Sequence, residues 1–310
     1  MNPLSPRLRR VLLGCLILAT FAAEFFLFDH FGSRRHTGVY PRWNDQIQYL
    51  SESYTAFERS RTGGFAVALE HTLTNPSAQG TLHDAAALVA FTLSGRPSRS
   101  AALALNMLAL IAWQAALYFA IARCSASPAL AFAAALLPLA LVGPWQNIPG
   151  SAYDFRLDHF AMCGLGIASA AALLTDGFHS ARWSKLFGAA VALTLVTRFL
   201  TGTYFVVIFA ALLAWIHSGS ERKTRALNLG RAALVATLLA GPFFWINKET
   251  VFEYYWIGHY VGPESTIRSQ GFGIGRSIQF VAGEFARLHV GLWFAGAAAF
   301  GALVFARRTG

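Results

Sequence analysis

Hydrophobic residues along this chain occur in long uninterrupted runs rather than in the alternating or one-sided patterns of soluble domains. Three of the clearest runs, 11–28, 101–122 and 290–306, contain few or no charged residues. Each approaches the roughly 20 residues that an α-helix needs to cross about 30 Å of hydrocarbon. Continuous runs indicate helices, since the strands of a membrane barrel alternate apolar and polar residues. The pattern therefore predicts an all-α, polytopic membrane protein.

The basic residues predict the direction of each crossing. Arg9 and Arg10 precede the first run, and Arg307 and Arg308 follow the last. The positive-inside rule then places both termini on the cytoplasmic side of an inner (plasma) membrane. The first run has no clean cleavage site and is expected to be retained as a helix. We expect one domain, 1–310, with outer loops at 32–100 and 248–288 and eight transmembrane helices at about 11–31, 101–122, 127–143, 159–176, 186–198, 202–217, 231–247 and 290–306.

The stretch 186–216 decides whether the count is eight or seven. As one helix it would be about 46 Å long, which is too long for a single crossing. Lys185 precedes it and Arg222 follows it, and both should lie inside, so an even number of passes is required. We therefore predict a break at 197–202 on the outer side. A single long helix would leave seven crossings.

Composition agrees with the membrane assignment and adds a question about the charges. Hydrophobic residues make up 55% of the chain and charged residues 13%, against about a quarter charged in soluble domains. The net charge of +10 fits cytoplasmic anchoring of helices, and it also fits contact with phosphates, whose oxygens match the guanidinium fork. The three cysteines show neither a disulfide framework nor metal-site spacing.

The acidic residues are distributed unevenly under this topology. Of the fifteen Asp and Glu residues, all except Asp176 and Glu221 fall in the outer loops or the outer half of the first helix. This asymmetry predicts an active face on the outer side. The alternative is that outer loops escape the positive-inside bias and simply hold more acids.

The first outer loop contains a predicted helix that starts near Asp45, with Asp45, Tyr49 and Glu52 on one face. Asp45 could also serve only as a helix cap. Residues 65–73 are typical of an amphipathic helix on the membrane surface, and the apolar run 85–93 is too short to span. His83 and Asp84 could bind a divalent metal, although one adjacent pair is a weak signal.

Two further outer segments concentrate ionisable groups. Asp154, Arg156, Asp158 and His159 lie within six residues at the start of the fourth predicted helix. Such groups are costly at a membrane boundary unless they pair with one another or have a function. The segment 252–276 is rich in aromatic residues, which usually form interfacial belts. Its glycines do not form a nucleotide fingerprint, because no strand precedes them, and nothing indicates a nucleic-acid partner.

The residues Trp43, Asn44, Asp45, Gln46 and Tyr49 resemble the motif W-x-D-E-x-x-Y of GT-C polytopic glycosyltransferases, close to the family 39 protein mannosyltransferases and the aminoarabinose transferases. The chain departs from the motif at Gln46, where the family has glutamate. The apolar hairpin at 83–100, the acidic patch at 154–158 and the break at 197–202 extend the resemblance to about 1–290. Many members continue into a further outer domain, so we expect either that this domain is absent or that the sequence is a fragment that lacks a C-terminal region after 310.

The resemblance implies a glycosyltransferase that moves a sugar from a polyprenyl-phosphate donor, with inversion, to a glycan, lipid or protein acceptor on the outer face. It implies that Asp45 is the general base. No cofactor is required, although a divalent metal could assist, and membrane lipid is an expected partner. Residues expected to bind the donor phosphate are Arg156, Arg198 and Arg268. Residues expected to bind or orient the acceptor are Tyr49, Asp154, Asp158 and His259.

Two other functions fit the same pattern. A transporter or flippase for a lipid-linked glycan would hold ionisable groups near the bilayer midplane, where Glu24 and Arg198 are the nearest examples. The presence of Gln46 in place of the family's glutamate would suit a non-catalytic membrane protein of envelope assembly. Substitution of the carboxylates distinguishes these functions, because an enzyme loses turnover whereas a scaffold loses only assembly.

Overall fold

The computed structural model describes residues 5–35, 44–125, 127–141, 143–145, 150–217 and 221–262, with a few isolated positions between 265 and 283. Within these residues the fold is all-α and contains no strand. The helices are α1 (Pro6–Arg35), α2 (Asn44–Gly63), α3 (Phe65–Thr74), α4 (Leu82–Ser94), α5 (Arg99–Ser125), α6 (Pro128–Leu136), α7 (Leu157–Leu174), α8 (Ala181–Thr197), α9 (Thr201–His217) and α10 (Arg222–Phe252).

Short helical turns flank two of these helices. Two 3₁₀ turns, Leu137–Ala140 and Gly143–Trp145, follow α6. π-Helical turns, Glu253–Val261, extend α10 into the segment that was expected to begin the second outer loop. The predicted helix at 290–306 lies outside the described residues.

Four helical segments of the described chain are long and apolar enough to cross a membrane, namely Val11–Arg35, Arg99–Ser125, Leu157–Leu174 and Arg222–Gly258. Large apolar side chains on them face outward, including Phe26 at 70% and Trp245 at 72% exposure. Exposed apolar surface of this extent fits lipid surroundings, so the fold is that of a multi-pass membrane protein. The count of eight crossings stays a prediction, because the apolar helices at Pro128–Ala140 and Thr201–His217 are shorter.

The stretch 186–216 forms two helices, because α8 ends at Thr197 and α9 begins at Thr201. The segment 75–81 packs against this break. Thr81 N–H donates to the Val196 carbonyl at 3.0 Å, and Phe199 N–H donates to the Gln79 carbonyl at 2.8 Å. The approach is so close at Gly80 that a Cβ there would lie 2.2 Å from the Thr197 carbonyl oxygen. Only glycine fits this position, which also has a φ of 152°.

Helices α7, α8 and α10 form the tightly packed part of the bundle, with α8 between the other two. Glycines allow this approach. A Cβ at Gly188 of α8 would lie 2.2 Å from the Ala232 carbonyl oxygen of α10, and one at Gly164 of α7 would lie 2.6 Å from Thr194 Oγ1 of α8. Small residues at such contacts let helix backbones meet where lipid supplies no hydrophobic driving force.

The turn after α7 is fixed to α10 by polar contacts. Arg225 Nε donates to the Gly177 carbonyl at 2.7 Å, and its guanidinium lies 4.2 Å from the Trp215 ring centroid. Asn228 donates to the Phe178 carbonyl at 2.8 Å. This turn also holds Asp176. It is separated from the start of α7 by a helix of 18 residues, or about 27 Å, so Asp176 lies far from the acidic residues that precede α7.

Candidate functional site

The loop that precedes α7 is held in one conformation by α5 and by its own backbone. Asn106, buried in the apolar helix α5, donates to the carbonyls of Ala152 and Asp154, both at 3.0 Å. Gly150, with a φ of 79°, directs its N–H at Asp154 Oδ2 over 2.7 Å. A Cβ at Gly150 would lie 3.0 Å from Asp158 Cβ, so this tight turn suits glycine. The loop therefore presents Asp154 and Arg156 in fixed positions.

Asp154 is buried and accepts hydrogen bonds from two sides. In addition to the Gly150 N–H, its Oδ1 accepts from Gln46 Nε2 at 2.5 Å. Arg156 Nε lies 3.3 Å from Oδ2, but its N–H is not directed at that oxygen, so this contact is an ion pair rather than a hydrogen bond. Burial raises the pKa of the Asp154 carboxyl, while the Gly150 N–H, the Gln46 amide and the Arg156 charge oppose the rise.

Arg156 joins Asp154 to Asp45. The Arg156 residue precedes the first turn of α7, and its Nη2 lies 2.5 Å from Asp45 Oδ2. Asp45 occupies the first turn of α2, where a negative charge is favourable next to the helix N-terminus. The Asp45 side chain is 60% exposed. The guanidinium thus bridges a buried carboxylate and an accessible one.

A second ion pair lies at the start of α7. Arg198, at the break between α8 and α9, pairs with Asp158 in the first turn of α7. Tyr49 of α2 lies close enough to Asp45 and Arg198 for both charges to affect its pKa. Burial raises the pKa of Tyr49, the charges of Asp84 and Asp45 raise it further, and the charge of Arg198 lowers it. The structure therefore brings together six predicted site residues, namely Asp45, Tyr49, Asp154, Arg156, Asp158 and Arg198.

Asp45 also lines a polar cavity of about 510 Å³. The walls are formed by α2, by α3, by the segment 75–81, by the start of α4 and by the end of α10. Two other carboxylates, Glu52 and Asp84, line the same cavity, as do Arg59 and His71. Asp45 therefore lies between two different surroundings, with Arg156 on one side and the cavity on the other.

Asp84 is the most buried carboxylate that faces the cavity. Its side chain is 15% exposed, and Oδ1 accepts a hydrogen bond from Ser53 Oγ at 3.1 Å. Burial raises the pKa of Asp84 to about 7, the charge of Glu52 adds to the rise, and the Ser53 hydrogen bond opposes it. This carboxyl is therefore partly protonated near neutral pH.

His83 lies beside Asp84 and is buried among aromatic side chains. Its ring is fully buried 4.2 Å from the Phe155 ring, and burial lowers the pKa of His83 to about 3, so the imidazole is neutral. Its Nδ1 lies 3.9 Å from Asp84 Oδ1, and neither ring nitrogen has a hydrogen-bond partner within the described part of the chain. That part contains no group of three His, Cys, Asp or Glu side chains suited to a metal.

Two predicted site residues lie outside the described residues, namely the side chain of His259 and the whole of Arg268. Three residues that hold the site were not among the sequence predictions. Gly150 and Asn106 position the loop, and the sequence alone identifies Gln46 only as a departure from the family motif. The available signal for Asn106 was an amide side chain within an apolar helix, since a buried polar group usually has a hydrogen-bond partner.

An apolar groove of about 400 Å³ begins near the same break. It runs between α8, α9 and α10 and is lined by aliphatic and aromatic side chains together with Gly202 and Gly241. One of its lining residues, Phe244, packs on Phe199 at 4.7 Å between ring centroids, and Phe199 follows Arg198 directly. The groove thus approaches the Arg198–Asp158 pair.

These features place ionisable side chains, a polar cavity and an apolar groove around one end of α7. Comparisons of the chain with protein-family models, with curated proteins and with solved structures found no match.

Proposed function

We propose that this chain is a glycosyltransferase that moves a sugar from a polyprenyl-phosphate donor to a hydroxyl acceptor at the outer face of the membrane. The single observation that carries the proposal is the position of Asp45. Its carboxylate faces the polar cavity and also contacts Arg156. A general base must reach the acceptor hydroxyl, and a leaving phosphate needs positive charge where negative charge develops. Asp45 therefore lies between the cavity, which can hold the acceptor, and Arg156, which can bind the phosphate.

The reaction transfers one glycosyl group. The acceptor hydroxyl gives its proton to Asp45 while its oxygen forms a bond to the anomeric carbon of the donor. The bond between that carbon and the phosphate oxygen breaks, and polyprenyl phosphate leaves with the electron pair. Because attack and departure occur on opposite sides of the carbon, the configuration inverts. No nucleotide and no redox partner enters this balance.

Arg156 has a specific role in this reaction, which is to bind the donor phosphate. Without substrate it pairs with Asp45, so the guanidinium occupies a carboxylate oxygen that would otherwise be open to the acceptor hydroxyl. A donor phosphate matches the guanidinium fork better than one carboxylate oxygen does. Binding of the donor therefore displaces Asp45 from Arg156 and frees the base. Arg198, near the mouth of the apolar groove, provides a second cation for the phosphate.

The apolar groove between α8, α9 and α10 supports a lipid donor. A prenyl chain lying there would pack against apolar side chains in place of other lipid tails, so the groove would fix the position of the chain by van der Waals contact. The headgroup would then lie at the break that holds Arg198. We propose the outer face for this site because Arg123, Arg182 and Arg225 lie at the opposite end of α7, beside Trp183 and Gly177.

The test uses the full chain in proteoliposomes with a panel of purified, radiolabelled polyprenyl-phosphate sugars and no nucleotide sugar. We expect label to move from at least one donor to a hydroxyl acceptor, with an inverted anomeric configuration by NMR. Arg156→Lys keeps the charge but loses the fork, so the donor KM should rise. A parallel assay supplies nucleotide sugars in place of the lipid donors, and transfer in that assay alone would overturn the proposal.

Transport of a lipid-linked glycan is the second candidate function, and one observation favours it. Glu24, within the first spanning segment, accepts a hydrogen bond from Gln114 of α5 at 3.3 Å. Ionisable groups within spans usually mark a pathway. Glu24→Gln separates the two functions. A transporter would lose movement of a fluorescent lipid-linked glycan between leaflets, whereas the glycosyltransferase would keep its transfer rate.

A further inference from the structure

The polar cavity beside Asp45 has a lining typical of a site for an uncharged polar ligand. Its volume of about 510 Å³ lies within the usual range of small-molecule sites. Side-chain amides and hydroxyls of Gln48, Thr55, Asn75 and Gln79 share the walls with carboxylates. Such a wall offers both donors and acceptors, which a ligand bearing many hydroxyls can match.

Thr81 provides independent evidence for a ligand. It is the N-cap residue of α4, yet its hydroxyl makes no capping hydrogen bond, although capping is the usual use of threonine at this position. Thr81 is only 2% exposed, lines the cavity and has no partner for its hydroxyl among the residues that the structure describes. An unpaired buried hydroxyl is unfavourable, so this group is suited to a hydrogen bond from within the cavity.

The charges of the lining favour an uncharged ligand over an anionic one. Glu52 and Asp84 face the cavity together with Asp45, against the single guanidinium of Arg59 and the imidazole of His71. Asp45 is compensated by Arg156, and partial protonation reduces the charge of Asp84 near pH 7. A strongly cationic ligand is therefore not required to neutralise the carboxylates. The net charge of the lining is small, and the lining is rich in hydrogen-bonding groups.

We infer that this cavity binds an uncharged carbohydrate, which is the acceptor of the reaction proposed above, and that Thr81 and Asp84 hydrogen-bond its hydroxyl groups. The identification of the carbohydrate as the acceptor rests on the proposed function, whereas binding of the carbohydrate does not require a donor. Asp45 at the cavity edge then reaches the hydroxyl that attacks. The phosphate of the donor stays on the Arg156 side, away from Glu52 and Asp84.

The experiment measures binding without donor. The full chain in nanodiscs is titrated with methyl glycosides of neutral hexoses and pentoses by saturation-transfer NMR, alongside uronic acids, amino sugars and an uncharged Ser/Thr peptide. We expect the neutral glycosides to bind. Thr81→Val and Asp84→Asn should each weaken that binding by about fivefold to tenfold. Thr62→Val and Asp176→Asn, which lie outside the cavity, should leave it unchanged.

A variant at an exposed position distinguishes loss of the binding site from misfolding, which the substitutions at buried positions could cause. Thr55 is exposed on α2 and lines the cavity, so Thr55→Trp fills its space, whereas Thr62→Trp, two turns further along the same helix, does not. Loss of binding in Thr55→Trp alone supports the inference. Preferred binding of the peptide, of a uronic acid or of an amino sugar would overturn it. So would glycoside binding that Thr55→Trp leaves intact.

The two proposals fail in different ways. Transfer from a polyprenyl-phosphate sugar without glycoside binding in the cavity would leave the glycosyltransferase and remove the acceptor assignment. Glycoside binding that Thr55→Trp abolishes, without transfer from any lipid donor, would leave a carbohydrate site and remove the glycosyltransferase.

Discussion

The Gln46 side-chain amide donates a hydrogen bond to Asp154 Oδ1 over 2.5 Å. The two residues are 108 positions apart in the sequence, and this contact attaches the start of α2 to the loop that precedes α7. Because Asp154 is buried and acceptor-only when ionised, the neighbouring side chain must donate. An amide at position 46 meets this requirement, whereas a glutamate would place two carboxylates in contact.

Gln46→Glu should therefore make the stability of the protein depend on pH. Two carboxylates this close hold a proton between them, so their folded-state pKa lies above the values of about 3.9 and 4.3 in the unfolded chain. A raised folded pKa stabilises the protein fully below about pH 4, and this contribution is lost as the pH rises through the raised value. We expect the thermal midpoint of the variant, measured by tryptophan fluorescence in detergent, to match wild type at pH 4.5 and to fall below it at pH 8.

Gln48→Glu is the matched control for this substitution. Gln48 is exposed on the same helix, and its amide bonds Glu52 four residues along at 2.9 Å. An exposed like-charge pair at this spacing costs only a few tenths of a kcal/mol. If Gln46→Glu showed the same small, pH-independent effect as Gln48→Glu, the contact between Gln46 and Asp154 would not exist in the protein.

Asp45→Asn should abolish transfer without unfolding the protein. A positioned general base contributes about 10²–10⁴-fold to rate, and asparagine cannot accept the proton. The side chain is 60% exposed, so loss of its pair with Arg156 should change stability by less than about 1 kcal/mol. Glu58→Gln, an exposed carboxylate on the same helix that pairs with Arg61, should keep full activity. A normal transfer rate in Asp45→Asn would remove Asp45 as the base.

Hydropathy predicted much of the helical architecture because burial in lipid acts on whole helices. The runs at 11–28 and 101–122 lie within α1 and α5, and the two halves of 186–216 form α8 and α9. Hydropathy did not predict that α10 continues through Val261 by π turns, since local composition changes at 248 while the backbone hydrogen bonds continue.

The site was predicted in part, because sequence spacing identifies chemical groups but not their partners. Asp45, Asp154 and Arg156 were each identified, yet their contact depends on how α2 packs against the loop before α7. The role of Gln46 required knowledge of its neighbour Asp154. The cavity depends on the segment 75–81, which has no periodic pattern and is held by hydrogen bonds to the α8–α9 break.

Asp84→Asn should remove a pH dependence that wild type shows. The pKa of Asp84 is raised to about 7 by burial and by Glu52, from about 3.9 in the unfolded chain. Wild type is therefore stabilised fully below about pH 4, and that contribution is lost as the pH rises through 7. Relative to wild type, the variant should gain stability between pH 5 and pH 8. The gain is a few kcal/mol at most, at about 1.4 kcal/mol for each pKa unit.

Glu52→Gln provides the control for the Asp84 prediction. Glu52 is exposed, and its charge is the second cause of the raised pKa of Asp84. Its neutralisation should move the pH-dependent fall in the thermal midpoint to lower pH without removing it. A wild-type midpoint that stays flat between pH 5 and pH 8 would show that Asp84 does not titrate in this range.

Gly188→Ala should separate α8 from α10 and destabilise the bundle. The new Cβ would lie 2.2 Å from the Ala232 carbonyl oxygen and 2.9 Å from its Cα, and backbone atoms cannot move aside as a flexible side chain can. Such overpacking costs about 1–3 kcal/mol, and we expect a lower thermal midpoint in detergent. Gly230→Ala is the control, because a Cβ there meets nothing within 4 Å, and alanine favours helix by up to about 1 kcal/mol. Equal midpoints for the two variants would contradict the close contact of α8 with α10, on which the position of Arg198 at the site depends.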